Sequence, residues 1–353
     1  MAVEAPRPSE PDAMPRIVRA GRYRVIPVID TGPSFALETL EADPARAHAL
    51  FDTATRRIPK PALAMLDAVS RRWLARWDNA HLAEIDAIAL TLKRPGAYFL
   101  SVQYEWACTC SVSPAPDGRS ARLVRVLDWS TPGLGRHVMA ARVAGNAGPY
   151  VTLTWPGFSG VIQALAPGRY AAAMNQAPMR FSAGLLPVDW VMARARLWQS
   201  PHPTAAHTLR RVFDTAAGYA EARRLLVSAP IAAPAIFSLA GIGASETCVI
   251  ERTETQARVF EGPAVAANHW QPEDPGRYDW RGHPRGIDSR GRAALLAGLH
   301  ADLSPDFSWA KEPVLNAQTR LIMVADAHLG RLVAQGFEAG LPATDPLELA
   351  HAA

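Results

Sequence analysis

Lysine and cysteine are scarce in this chain, and long apolar runs are missing. Lysine occurs only at Lys60, Lys93 and Lys311, so the positive charge is carried by arginines, many set singly between apolar residues as in Ala195-Arg196-Leu197. No block of like charge with interleaved aromatics occurs, which excludes the electrostatic footprint of a nucleic-acid binder. The formal charge of +4 over 353 residues is small; mild basicity of this kind predicts at most contact with an anionic membrane surface. Cys108, Cys110 and Cys248 are too few for a disulfide framework. The longest apolar stretch, 231–244, is broken by Pro234 and Gly241 and is too short to span a bilayer. The first residues, Met1-Ala2-Val3-Glu4-Ala5-Pro6-Arg7-Pro8, lack the apolar segment of a secretory signal. A disordered leader over 1–15 and a cytoplasmic protein are expected.

Familiar reaction motifs are missing too. There is no phosphate-binding glycine loop, and Gly241-Ile242-Gly243 lacks the third glycine of a dinucleotide fingerprint. Gly157-Phe158-Ser159-Gly160 lacks the spacing of a nucleophile elbow. Cys108-Thr109-Cys110 has no second cysteine pair to complete a zinc site.

What is present is a mixed pattern for one domain, 49% hydrophobic, without repeats or obvious linkers. Residues 22–29 read as a strand ending at Asp30-Thr31-Gly32-Pro33. From 35 to about 92 the pattern is helical, with Leu63, Leu66, Val69, Trp73, Leu74 and Trp77 at spacings of three and four, and a second helix over about 82–92 follows Asp78-Asn79. Residues 98–112 read as a strand, Ser113 to Gly118 as a turn, and 123–129 as the returning strand. More strands are expected at 150–155, 161–165 and 170–175, and helices near 189–198, 204–214 and 219–227. Strands from 235 to 267, a helix over 292–300 and a closing hairpin at 320–337 complete the pattern.

The first hairpin carries the most suggestive chemistry. Cysteine followed by threonine lies on one strand, and Arg125-Val126-Leu127-Asp128-Trp129 lies on the other, so the turn brings Arg125 and Asp128 back beside the cysteine. A guanidinium stabilises a thiolate, and a carboxylate orients an ammonium group. A free thiol, with a pKa of about 8.5, is mostly protonated at neutral pH. If the chain were cut just before the cysteine, the new α-amine, with a pKa of about 8, would serve as the base for its own thiol. The competing reading is a small core cysteine with an ordinary ion pair.

From about Tyr23 to Phe337 the chain resembles the acid ceramidase and N-acylethanolamine acid amidase family, relatives of bile salt hydrolase and penicillin V acylase. Tyr104-Glu105 followed by Cys108-Thr109 resembles that family's self-cleavage point, and Arg125-Val126-Leu127-Asp128-Trp129 its Arg-Asn-x-Asp-aromatic strand. Trp155-Pro156-Gly157-Phe158-Ser159-Gly160-Val161 and Pro167-Gly168-Arg169-Tyr170 through Asn175-Gln176 are similar to its Gly-aromatic and Asn-Glu/Gln strands. Tyr219-Ala220-Glu221-Ala222, Ala233-Pro234-Ala235 and Glu246-Thr247-Cys248-Val249-Ile250 follow in order. Asn268-His269-Trp270, Asp288-Ser289-Arg290 (its Asp-Asp-Arg-Arg) and Lys311-Glu312-Pro313-Val314-Leu315-Asn316 come last.

The resemblance implies an α+β fold, the four-layer αββα sandwich of N-terminal-nucleophile hydrolases. It implies self-cleavage before Cys108 into an α chain, 16–107, and a β chain, 108–353, packed as one domain. Cys108 would be the nucleophile, with Cys110 as the alternative, because the spacing to Arg125 is one longer than the family's from Cys108 and one shorter from Cys110. Asn268 would donate to the oxyanion, Arg290 would support the site, and Asp288 would stand behind it. Asn175 would lie near the carbonyl pocket. Trp155 and Phe158, with Leu185, Leu186 and Trp190, would line an acyl groove. The implied substrate is a small-molecule lipid amide, cleaved with neither metal nor cofactor. Other acyl amides, acyl transfer to an amine, and an uncut binding protein stay open at this point.

Overall fold

The computed structural model describes residues 23–102, 106–271, 280, 282–299 and 302–350. The expected leader at 1–15 and the Tyr104-Glu105 pair lie outside them. A short strand, β1 (Val28–Thr31), leads into helices α1 (Phe35–Ala42), α2 (Pro44–Thr55), α3 (Lys60–Leu74) and α4 (Leu82–Leu92). The second helix expected over 82–92 is α4, while the helical stretch before it is divided at Asp43-Pro44 and again around Pro59 and Pro61. Proline is favoured in a first helical turn, where its missing N–H costs nothing. Residues 98–101, expected as strand, instead form the short helix α5 (Ala97–Ser101). Tertiary contacts override strand propensity here: the Asp67 carboxylate accepts the Phe99 N–H at 2.9 Å and the Tyr98 hydroxyl donates to Asp86 at 2.6 Å.

The expected hairpin is formed by β2 (Trp106–Pro114) and β3 (Ala121–Trp129), antiparallel, with Cys108 opposite Leu127 and Cys110 opposite Arg125. Then come β4 (Met139–Val143), β5 (Tyr150–Thr154), β6 (Gln163–Ala166), β7 (Tyr170–Gln176) and β8 (Met179–Arg180). Helices α6 (Leu186–Gln199), α7 (Ala205–Thr215) and α8 (Tyr219–Ser228) separate these from β9 (Ala235–Ala240), β10 (Thr247–Arg252), β11 (Ala257–Glu261) and β12 (Ala264–Ala266). The chain ends through β13 (Gly282–His283), α9 (Ser289–Ala297), β14 (Thr319–Asp326), β15 (Arg331–Glu338), β16 (Leu341–Pro342) and β17 (Leu347–Ala350).

Among the described residues the strands form two large sheets. One runs β1-β4-β5-β6-β7-β9-β10-β11; the other runs β12-β2-β3-β14-β15-β16, with β17 also on β15. The sheets bury their facing sides against each other. Leu153, Ala173 and Ile236 from the first share one core with Cys108, Cys110, Leu127 and Met323 from the second. Helical residues Phe35, Leu40, Phe51, Ile88, Phe213 and Leu226 cover the outer side of the first sheet. Leu296 of α9 with Leu303, Phe307 and Trp309 covers the outer side of the second, over Val124, Val126 and Ile322. The result is a four-layer αββα sandwich, as the sequence led us to expect.

Candidate active site

Strand alternation sends successive residues of β2 to opposite faces. Cys108 and Cys110 face the interior between the sheets, whereas Thr109 faces α9. The same alternation parts Arg125 from Asp128 on β3. Both are buried, but Arg125 points between the sheets and Asp128 points outward under α9.

On the inner face, Arg125 Nη1 donates to the Cys110 sulfur at 3.3 Å and also to Asn175 Oδ1. The Cys110 thiol itself donates to Asn175 Oδ1 at 3.0 Å. Asn175 is held by two donations from its Nδ2, to the Ala266 and Ala267 carbonyls at 3.0 and 3.1 Å. Nε and Nη2 of Arg125 are buried without hydrogen-bond partners among the described residues. They are donors in reserve beside the two sulfurs. Burial pushes the Cys108 thiol up to about 12, against the pull of the Arg125 guanidinium. In the continuous chain this thiol is therefore protonated at neutral pH.

On the outer face, Arg292 of α9 reaches through to the hairpin. Its Nη1 lies 3.1 Å from Asp128 Oδ2 and 2.7 Å from Thr109 Oγ1. The Asp128 carboxylate also accepts from Thr319 Oγ1 at 2.8 Å and Asn316 Nδ2 at 3.2 Å. A buried ion pair satisfied in this way holds its geometry, and removing one partner would strand the other charge.

Asn268 joins the two faces. Its Oδ1 accepts the Cys108 backbone N–H at 2.7 Å and Arg292 Nη2 at 3.0 Å, while its Nδ2 donates to the Gln176 carbonyl at 2.8 Å. The Asn268 N–H in turn donates to Ser289 Oγ at 2.9 Å. Strand β12 pairs with β2 only as far as Cys110, so the peptide bond between Ala107 and Cys108 has β3 on one side and the Asn268 side chain on the other. Gly286, at φ +73°, packs against this bond from the 280s segment; a Cβ there would fall 2.3 Å from the Ala107 Cβ.

No family model matches the chain. Acid ceramidase from Homo sapiens is 26% identical over 190 residues, covering 50% of this chain and 45% of that protein, and the Pan troglodytes protein matches equally. Over this stretch the chain is similar to the acid ceramidases. It spans about half the length of the curated relatives it matches. In three dimensions, a Caenorhabditis elegans N-acylethanolamine-hydrolyzing acid amidase ortholog superimposes with a TM-score of 0.48 at 21% identity, covering 63% of this chain and 94% of that one. A conjugated bile acid hydrolase from Clostridium perfringens, with its cysteine replaced, gives 0.36 at 11% identity, covering 69% and 92%.

In this chain Cys108, Cys110, Arg125, Asn175 and Asn268 converge. Asp128 joins them through Arg292 and does not lie beside the sulfur as the hairpin reading implied. Arg290 departs further: its side chain is exposed, on the first turn of α9. Two arginines separated by one residue point to different sides of a helix, and only Arg292 shares the buried face with Leu296 at i+4. That periodicity was the available signal for Arg292. Asp288 caps α9, its side chain accepting the Gly291 N–H at 2.9 Å, and so sets the helix phase that aims Arg292. Thr109, Gln176 and Ser289 fall inside the motifs read from the sequence but carry no assigned role there; the packing supplies it.

The expected acyl groove divides. Trp155 and Phe158 do line an apolar groove, together with Leu50, Phe51, Leu100, Trp129 and Leu134. An aromatic ladder connects it to β2, with ring centroids 5.2 Å apart for Trp106–Trp129 and 5.7 Å for Trp129–Trp155. Leu185, Leu186 and Trp190 lie elsewhere, exposed at the start of α6.

Proposed function

We infer that this chain is a self-processing cysteine hydrolase of lipid amides. The single observation that carries the reading is the Asn268 Oδ1 acceptor held by Arg292 at the Cys108 backbone nitrogen. A main-chain N–H so placed becomes, after cleavage, an α-amine already seated beside its own thiol. Self-processing would begin with Cys108 Sγ adding to the Ala107 carbonyl carbon. The C–N bond then breaks, the nitrogen keeps its electron pair and takes the thiol proton, and an Ala107 thioester forms. Water hydrolyses the thioester, leaving the Ala107 carboxylate and a free Cys108 amine.

In the mature protein the Cys108 thiolate attacks the amide carbonyl of the substrate. The spare N–H groups of Arg125 favour the thiolate, and donors aimed at the developing oxyanion lower the barrier. The α-ammonium, positioned by Asn268, gives its proton to the leaving amine, and water releases the fatty acid. Cys108 is favoured over Cys110 because Cys110 is paired on both sides in the sheet, and its sulfur is engaged by Arg125 and Asn175. The apolar groove at Trp155 and Phe158 suits an acyl chain. Incubation of purified protein with mixed N-acyl lipids, with mass spectrometry of released acids, tests the reading. Release of no fatty acid by a cut protein would remove lipid amides from it.

A further inference from the structure

We propose that His269 is a positioning residue for the candidate active site, acting on Asn268 through the Ser289 hydroxyl. This rests on the amidase reading above and adds to it a group one step removed from the reacting atoms. Helix α9 grips Asn268 at two points. Arg292 Nη2 donates to the Asn268 side-chain oxygen at 3.0 Å. Ser289, three residues earlier and so on the same side of the helix, accepts the Asn268 main-chain N–H at 2.9 Å. The first contact orients the carboxamide, and the second fixes the backbone from which it projects. His269 Nδ1 lies 2.8 Å from the same Ser289 oxygen.

Proton counting sets the direction of that bond. A serine hydroxyl has one proton to give and two lone pairs with which to accept. One lone pair of Ser289 is taken by the Asn268 N–H, and the residue is buried. Among the described residues, its proton finds an acceptor at His269 Nδ1. Were Nδ1 the donor instead, the serine proton would be buried without a partner, which is costly. The imidazole is therefore neutral and carries its proton on Nε2. Burial holds the His269 pKa below its ordinary value, helped by Arg290 and Arg292, the charged groups that act on the ring from α9. The neutral form accordingly prevails at neutral pH.

Protonation would reverse the bond. An imidazolium would aim an N–H at Ser289, turn the hydroxyl proton away and set a further cation beside Arg290 and Arg292. The serine lone pair would no longer be directed at the Asn268 N–H, and the grip on the Asn268 backbone would loosen. Because the folded pKa is depressed, the relay is intact above it and is lost as pH falls through it.

The test compares His269→Leu, which removes the acceptor, with His269→Asn, whose side-chain oxygen can replace Nδ1 but cannot titrate. In His269→Leu, kcat for a soluble N-acyl amide should fall about fivefold to tenfold at neutral pH, with KM little changed. The asparagine variant should recover most of that loss. It should also retain kcat to lower pH than the parent, over the range in which circular dichroism shows both proteins folded. Added to Ser289→Ala, His269→Leu should cost nothing further. Parental kcat in His269→Leu, or its full loss repeated in the Ser289→Ala background, overturns the assignment. Nitrogen-15 spectra of the imidazoles are read without turnover: His269 should carry its proton on Nε2 at neutral pH, and a proton on Nδ1 overturns the assignment as well. A protein that shows the Nε2 form yet hydrolyses no amide keeps the relay to Asn268 and loses the amidase reading.

Discussion

The backbone nitrogen of Cys108 and the side-chain oxygen of Asn268 stand 2.7 Å apart, although 160 residues separate them in sequence. This contact addresses one particular main-chain nitrogen from across the fold.

Self-cleavage is the first expected outcome. Denaturing electrophoresis of purified protein should show fragments 1–107 and 108–353, the larger beginning Cys-Thr-Cys on N-terminal sequencing. Cys108→Ala should stay whole, and Cys110→Ala should still be cut at the same bond. A new terminus at Cys110 would transfer the nucleophile's role to that residue.

Arg290 and Arg292 should differ sharply when replaced by alanine. Arg292→Ala leaves Asp128 buried without its cation, so we expect a stability loss of about 3–5 kcal/mol and turnover lower by roughly two to three orders of magnitude. Arg292→Lys should recover folding better than activity, because an ammonium cannot span Asp128, Thr109 and Asn268 together. Arg290→Ala should resemble the parent in both denaturant melts and kinetics. Equal effects at the two positions would break the link between α9 and the site.

The groove predicts a chain-length effect. Each methylene buried against Trp155, Phe158 and Phe51 contributes about 0.8 kcal/mol, so kcat/KM should climb with acyl length and then level off. Phe158→Ala should flatten the climb. A preference for short or aromatic acyl groups would detach the groove from substrate binding.

Acid should destabilise this fold. Burial, reinforced by Arg210, lowers His81 to about 2 and His207 to about 3. Both are neutral in the folded protein, whereas the unfolded chain protonates them below about pH 6.5. Their contribution is therefore fully present above that pH and is lost as pH falls toward the folded values, at about 1.4 kcal/mol per pH unit for each. Urea melts at neutral pH and at about pH 5 should show a lower midpoint in acid, and His207→Gln should shrink the difference. An unchanged midpoint would mean that these rings take up protons without unfolding.

The hairpin from Trp106 to Trp129 was legible because alternation and a Pro/Gly turn set its register locally, and the register alone pairs Cys110 with Arg125. The separation of Asp128 from Arg125 was legible in principle too, since an interval of three on a strand reverses the face. What sequence spacing could not supply was the contribution of α9, which enters from far along the chain and whose phase depends on the Asp288 cap. The helix at 97–101 was hidden for a similar reason: its stabilising partners, Asp67 and Asp86, come from other helices.

Strand β1 pairs with β4, and Phe35, Leu40, Phe51 and Ile88 are built into the central core, so the region before Cys108 is structurally inseparable from the region after it. Cutting before Cys108 would leave both new ends held by β3, with Ala107 opposite Asp128 and Cys108 opposite Leu127. The two pieces would remain one body while losing their shared connectivity. Folding of the intact chain is unimolecular, but recovery of the cut protein after denaturation would require two separate polypeptides to find each other. Its yield would then depend on concentration, and a protein that refolds readily before the cut would acquire a history that dilution cannot reverse.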